Sequence, residues 1–350
     1  MIEINNRKLI NYGKPFIVAE SGINHNGELT KALEMIEVAK QSGVDAVKFA
    51  TFRAEELCAD KTQTFTYQSQ GQKITESEFE MFKRNEFDYD EWLQIKQKCD
   101  DENILFLSTP QNRSDLDLLL ELGIPAIKVG SDDFINLPLL EDYSSTKLPM
   151  IVSCGMSDLK EVHQALDAIG TFEGYPTILL LCTSQYPTPP EDVNLLKLKT
   201  LANTFPDLVL GFSDHTQGTL ASSLAVGFGA VFFEKHFTLD NNLAGPDHWF
   251  SLNPKVLKDW VDSIHQSYQM MGDSIVRPTS KELEIRKYGR RSIVILKDTK
   301  KGGKLTEENI GLRRAGAGIG LAPILMKDML GSFASQDLVE GNLLELKNVK

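Results

Sequence analysis

The chain has 350 residues, more than one ordinary domain, and 41% of them are hydrophobic, so a packed globular core is expected. Its formal charge of −12 argues against a general nucleic-acid binder. The charge is uneven: residues 288–350 hold 11 Lys and Arg against 7 Asp and Glu, so a net-basic tail follows a strongly acidic body, and the two could dock within one chain or between chains.

The opening stretch MIEINNRKLINYGKPF lacks the basic-then-apolar order of a signal peptide, and the longest mostly apolar stretch, LASSLAVGFGAVFF (220–233), is too short to span a bilayer. A cytoplasmic protein without a membrane segment is expected. Cys58, Cys99, Cys154 and Cys182 form no C-x-x-C pair and read as reduced structural thiols.

Eight apolar runs follow in chain order: FIVAES (16–21), AVKFAT (46–51), ILFLST (104–109), AIKVGS (126–131), MIVSCG (150–155), TILLLCTS (177–184), VLGFSD (209–214) and VFFEKH (231–236). Near-continuous apolar runs suit parallel strands covered on both faces. Helical periodicity separates them: LTKALEMIEVAKQSG, with Thr30 as a candidate cap and Gly43 as its end, then DYDEWLQIKQKCDDEN, SDLDLLLELG, SDLKEVHQALDAIG and QGTLASSLAVGFG. This rhythm predicts an α/β protein with a closed (β/α)8 TIM barrel over residues 1–275. An open doubly wound sheet is the alternative, weakened by the lack of G-x-G-x-x-G after the first strand.

The helical stretch NPKVLKDWVDSIHQSYQMMG closes the barrel, and DSIVRPTSKELEIRKYG reads as a polar connector, with the linker placed at 276–287. Residues 288–350 read as a small β-rich module. It carries a weak internal echo, LKDTKKGGKLT against SQDLVEGNLLE, each a turn on an x-G hinge followed by a strand.

Nearly every run ends in a polar group, and the carboxyl ends of barrel strands converge on one mouth. His215 and His236 end consecutive runs and are expected to be neighbours there. Two imidazoles can bind a divalent metal such as Mn²⁺, with Mg²⁺ or Co²⁺ as alternatives and with water or substrate at the remaining positions. Asp214, Glu234 and Asp247 are at hand to orient the ligands or add oxygens. Lys48 and Lys128 lie inside apolar strands, where an ammonium needs an anionic partner or a shifted pKa. A phosphate or carboxylate could pair with both, and the hydroxyls of Thr109, Ser131, Ser153 and Ser213 would complete an anion cradle. A Schiff-base lysine is the competing role.

Taken together, AESGINHNG (19–27), FLSTP (106–110), KVGS (128–131), SCGM (153–156), YPTP (186–189), GFSDHT (211–216), EKHFT (234–238) and GPDH (245–248) make the chain resemble the sialic acid (nonulosonic acid) synthases. The tail, with RRS (290–292), KKG (300–302) and RRAGAGIG (313–320), resembles their antifreeze-like (SAF) domain. The resemblance implies a transferase that condenses phosphoenolpyruvate with an N-acylated mannosamine-type sugar, either N-acetylmannosamine or a 6-deoxy-diamino relative. GPDH leans the product toward N-acetylneuraminate or legionaminate. By the same resemblance Lys48, Thr109, Lys128, Ser131, Ser153, Ser184 and Ser213 bind phosphoenolpyruvate, His215 and His236 hold the metal, and Glu20, Tyr186 and Asp247 contact the sugar. Arg314 is lent to the partner's site in a domain-swapped homodimer, and Glu20 or Asp133 handles protons. Departures from the family pattern occur at Ala50, Asp133, Leu181, Ser184 and Ala315. They leave a rival reading, a non-catalytic barrel descended from such a synthase that binds a sugar or phosphate.

Overall fold

The computed structural model describes every residue except Ala315 and residues 317–319, so part of the RRAGAGIG motif and the departure at Ala315 lie outside the described residues. The chain divides into two compact units, Met1–Gly272 and Asp273–Lys350.

In the first unit eight parallel strands follow one another around a barrel: β1 (Phe16–Gly22), β2 (Ala46–Thr51), β3 (Leu105–Pro110), β4 (Ile127–Val129), β5 (Met150–Ser153), β6 (Thr177–Cys182), β7 (Val209–Ser213) and β8 (Phe232–His236). Hydrogen-bonded neighbours run from β3 through β2, β1, β8, β7, β6 and β5 to β4, and the two end strands lie side by side. β8 pairs with β1 from Phe232↔Phe16 to His236↔Glu20, which joins the last strand to the first. Each strand is followed by a helix: α1 (Leu29–Ser42), α2 (Tyr89–Asp101), α3 (Arg113–Glu121), α4 (Leu137–Ser144), α5 (Leu159–Ile169), α6 (Leu196–Thr204), α7 (Leu220–Gly227) and α8 (Pro254–Met271).

Local chemistry accounts for the helix ends. Asp88 with Glu91 and Asp158 with Glu161 form capping boxes that start α2 and α5, and Gly43 and Gly170 end α1 and α5 in the left-handed conformation. Thr30 does not cap α1. Glu28 is already extended and ends the preceding loop, so the helix begins at Leu29 and Thr30 falls inside the first turn. Strand faces alternate between two buried sets. One packs outward on the helices, around Trp92, Phe233 and Trp260; the other fills the barrel, around Phe16, Leu107, Leu180 and Phe232.

Two hairpins were not legible as elements. Ile2–Ile4 pairs with Arg7–Leu9, and Ile2, Ile4 and Leu9 join the interior set next to Phe16, so this hairpin plugs the amino-terminal end of the barrel. Thr64–Ser69 pairs with Gln72–Ser77 across a two-residue Gln70–Gly71 turn, both residues at positive φ, between β2 and α2.

The second unit begins with a stretch read as connector, but Ser280–Gly289 is helical, started by a Thr279–Glu282 capping box. Arg291–Ile295 pairs antiparallel with Ile310–Arg314 over a core of Ile293, Ile295, Leu305, Ile310 and Leu344. The internal echo is structural. Thr299 and Leu338 exchange backbone hydrogen bonds of 3.0 and 2.8 Å. Asp337 Oδ1 accepts from Lys301 N while Asp298 Oδ1 accepts from Glu340 N, each at 2.8 Å.

Candidate active site

A cavity of about 1000 Å³ opens at the carboxyl ends of the barrel strands. Glu20, Lys48, Thr109, Lys128, Ser131, Ser153, Ser184, Tyr186, Ser213, His215, His236 and Asp247 all line it, twelve of the fourteen predicted site residues. Asp133 does not, and Arg314 belongs to the second unit. The Asp133 carboxylate accepts from Asn136 Nδ2 at 3.0 Å, and its neighbour Asp132 lines the cavity instead. Arg314 is exposed at the end of its strand in the second unit. A smaller cavity of about 470 Å³, at the amino ends of β6 and β7, holds none of the predicted residues.

Four buried charges form the floor. Lys48 on β2 pairs with Glu20 on β1, and its ammonium lies 3.6 Å from Glu234 Oε2 and 3.0 Å from Thr109 Oγ1. Lys128 on β4 donates to Ser153 Oγ at 2.8 Å and lies 3.7 Å from Glu234 Oε1, which also accepts from Ser213 at 3.0 Å. Glu234, read from sequence only as an auxiliary, is thus the hub between both lysines. Burial opposes its charge, yet the two ammonium groups hold its carboxyl below the usual range. Burial pushes the Glu20 carboxyl up, only partly offset by Lys48. Burial likewise lowers the Lys128 ammonium, whereas Glu20 and Glu234 outweigh burial at Lys48 and raise it.

The anion cradle narrows at Gly155. A Cβ there would lie 2.6 Å from Ser131 Oγ and closer still to Ser184 Oγ, so only glycine lets both hydroxyls converge. Ser184 Oγ is buried with no partner, and Ser131 Oγ accepts from Gly155 N at 3.0 Å. A register shift between Glu20 and Gly22 bulges β1 next to the site, and a Cβ at Gly22 would sit 3.3 Å from Glu20 and 3.6 Å from the His236 ring.

The imidazoles of His215 and His236 have centroids 5.5 Å apart, with Tyr186 4.2 Å from the first and 5.9 Å from the second. His215 Nδ1–H donates to Thr183 O at 2.9 Å, which leaves Nε2 as the free donor atom. His236 is held well below its ordinary pKa chiefly by burial, and its buried Nδ1 has no partner. A neutral, orphaned imidazole nitrogen beside a second oriented imidazole fits a divalent cation. Among the described residues no set of three or more His, Cys, Asp or Glu is gathered as a cage, so further ligands would come from water or substrate. Asp214 is not available as one: it is absent from the cavity lining and pairs with Lys235. Burial raises the Asp247 carboxyl to about 6.

Sequence reading missed Asp132, Cys182 and an apolar outer wall of Ile23, Phe52, Leu57, Phe65 and Phe82. Most of that wall lies in the insertion between β2 and α2, which has no apolar period.

Residues 35–276 match the NeuB family and residues 290–350 match the SAF domain. The chain is 39% identical to the N,N'-diacetyllegionaminic acid synthase of Legionella pneumophila over 96% of this chain and 94% of that protein. It is 38% identical to the enzyme of the same name from Campylobacter jejuni, over 95% and 99%. The crystal structure of an N-acetylneuraminic acid synthetase from Leptospira borgpetersenii, in complex with citrate, superposes with a TM-score of 0.73 at 32% identity, over 82% of this chain and 95% of that one.

Proposed function

We propose that this chain, which belongs to the NeuB family of nonulosonic acid synthases and carries a SAF domain, condenses phosphoenolpyruvate with an N-acylated mannosamine-type sugar and releases phosphate. The observation that carries the reading is the convergence of Lys48, Lys128 and a ring of hydroxyls with two imidazoles in one cavity. An anionic enol donor fits the first set and an aldehyde acceptor the second.

Lys48 and Lys128, with Thr109, Ser131, Ser153, Ser184 and Ser213, hold the donor's phosphate and carboxylate. His215 and His236 would hold a divalent cation such as Mn²⁺, which supplies Lewis acidity for the acceptor's aldehyde oxygen. Tyr186 and Asp247 orient the sugar so that its open-chain carbonyl carbon faces C3 of the donor. A carbon–carbon bond forms there as the enol π-electrons move, and water adds at C2, where cation character develops. The proton released by the water reaches the new alkoxide. The C2–O bond then breaks, phosphate leaves, and the remaining hydroxyl loses its proton to give the keto acid. Of the two carboxylates the sequence offers for proton handling, Glu20 lines the cavity, and its raised pKa suits a group that exchanges protons near neutrality.

The likeness to two N,N'-diacetyllegionaminic acid synthases and the apolar wall around Phe65 and Phe82 support a 6-deoxy-diamino acceptor over N-acetylmannosamine. The basic second unit is assigned to a partner's acidic cavity, lending Arg314 in a domain-swapped homodimer. Phosphate release with each sugar tests the reaction and ranks the acceptors; no release with either would favour a non-catalytic barrel. Bridging ¹⁸O in phosphoenolpyruvate should depart with phosphate, and its retention in the sugar acid would refute C–O cleavage.

A further inference from the structure

The polar residues ending β7 and β8 alternate across the sheet. Ser213, His215, Glu234 and His236 line the cavity, while Asp214 and Lys235 between them do not. These two are nonetheless buried, and they are joined to each other at 3.0 Å. Every polar atom of the pair is used. Asp214 Oδ1 accepts from Thr216 N and Thr216 Oγ1, each at 2.8 Å, and Oδ2 accepts from Ser222 Oγ at 2.6 Å. Trp260 Nε1 on α8 donates to Ser222 Oγ on α7 at 2.8 Å, and Lys235 also donates to the Thr216 carbonyl.

The β7–β8 ladder ends at Ser213↔Glu234, with Asp214 N donating to Glu234 O at 2.8 Å as the last bond between them. Past that point the spacing of the two strand ends is left to side chains, and His215 and His236 each follow one member of the pair. Stability alone is a weak account of such a pair, because a well-packed apolar replacement is often as stable. We propose that the buried Asp214–Lys235 ion pair is a positioning element, clamped to α7 and α8 through Ser222 and Trp260, that sets the spacing and orientation of the two imidazoles. Its effect on cation affinity rests on the metal reading above; its effect on the imidazoles does not.

The test uses the full-length protein as Asp214→Asn, Lys235→Met, the double variant and the milder Ser222→Ala. Imidazole ¹⁵N shifts of His215 and His236 are read without metal, Mn²⁺ binding by electron paramagnetic resonance, and stability by denaturant. Each single charge removal should move both histidine signals and weaken Mn²⁺ about 10-fold or more. The double variant should regain stability without regaining the wild-type signals or affinity. Should the single variants misfold, Ser222→Ala should still shift the histidine signals. Wild-type shifts in all folded variants would overturn the proposal, as would affinity that simply follows stability. Failure of the wild type to bind Mn²⁺ would refute the metal reading, and the imidazole shifts would still decide the positioning role.

Discussion

Glu234→Gln tests the charge floor most directly. Each contact to a lysine, 3.6 Å to Lys48 and 3.7 Å to Lys128, corresponds to about 4.5 kcal/mol of Coulomb attraction at an effective dielectric near 20. Desolvation of the carboxylate offsets much of this, so the net loss on breaking the pair is about 3–5 kcal/mol. Glu20 still neutralises Lys48, so the damage falls on Lys128, whose ammonium is already disfavoured by burial. At about 2 °C per kcal/mol the unfolding midpoint should fall by roughly 6–10 °C. An added anion should reverse part of that loss, because it meets two lysines with one carboxylate fewer between them. Melting curves of wild type and variant across a phosphate titration measure both effects. The expected result is a lower midpoint for Glu234→Gln and a steeper gain with phosphate. Equal midpoints, or equal phosphate gains, would refute the view that these four charges are coupled and that the lysines receive the anion.

His215→Ala and His236→Ala should each lower turnover by at least about 100-fold with the circular dichroism unchanged, and full activity after chelation would dispose of the metal assignment. Gly155→Ala should raise the donor's KM about 10-fold or more while the sugar's KM holds, since the added Cβ displaces Ser131 and Ser184; unchanged donor KM would remove those hydroxyls from the cradle. Arg314→Ala and His236→Ala chains should each be inactive, yet mixed dimers should regain activity if Arg314 serves the partner's cavity; no recovery would make the second unit structural. Burial lowers His25 to about 3 and His248 to about 4, so both stay neutral in the fold while the unfolded chain takes up protons below about 6.5. Stability is therefore present above pH 6.5 and falls as the pH drops, by about 2 kcal/mol per histidine at pH 5, and a flat denaturation profile over that window would contradict their neutral burial.

The eight strands were legible because a parallel barrel covers both faces of each strand, so its runs are continuously apolar until they reach the mouth. The same logic made the lysines and histidines conspicuous: a charged side chain in a covered strand has to meet something. What sequence left undecided was direction. Asp132 and Asp133 are consecutive on an irregular turn, and no period says which one faces inward. Asp214 and Glu234 both precede a histidine region, but the two-residue alternation of strands sends Glu234 to the cavity with His236 and Asp214 to the other face. That distinction follows once the strands are in register. The Gln70–Gly71 hairpin was faint because its strands are largely exposed, and exposed strands carry little apolar signal. Thr279 and Glu282 did carry a capping-box spacing, but the polar, Pro-containing context masked it.

The charge balance of the cavity links the parts. Glu20 and Glu234 offset Lys48 and Lys128, so the floor is close to neutral before any ligand arrives, and Asp60, Glu78, Asp132 and Asp247 make the remaining lining acidic. A donor with one carboxylate and one phosphate adds roughly three negative charges. The floor alone cannot receive it without a proton or a further cation. Glu20 is the carboxylate best placed to take the proton, because burial has already raised its pKa, and its neutralisation would free Lys48 for the donor. A cation between His215 and His236 and an arginine from the basic second unit are the other two sources the chain offers. Under this reading donor binding should take up protons near neutral pH, and calorimetry in buffers of different ionisation enthalpy measures that uptake. Binding with no proton uptake would place the whole compensation on the cation and Arg314, leaving Glu20 charged throughout.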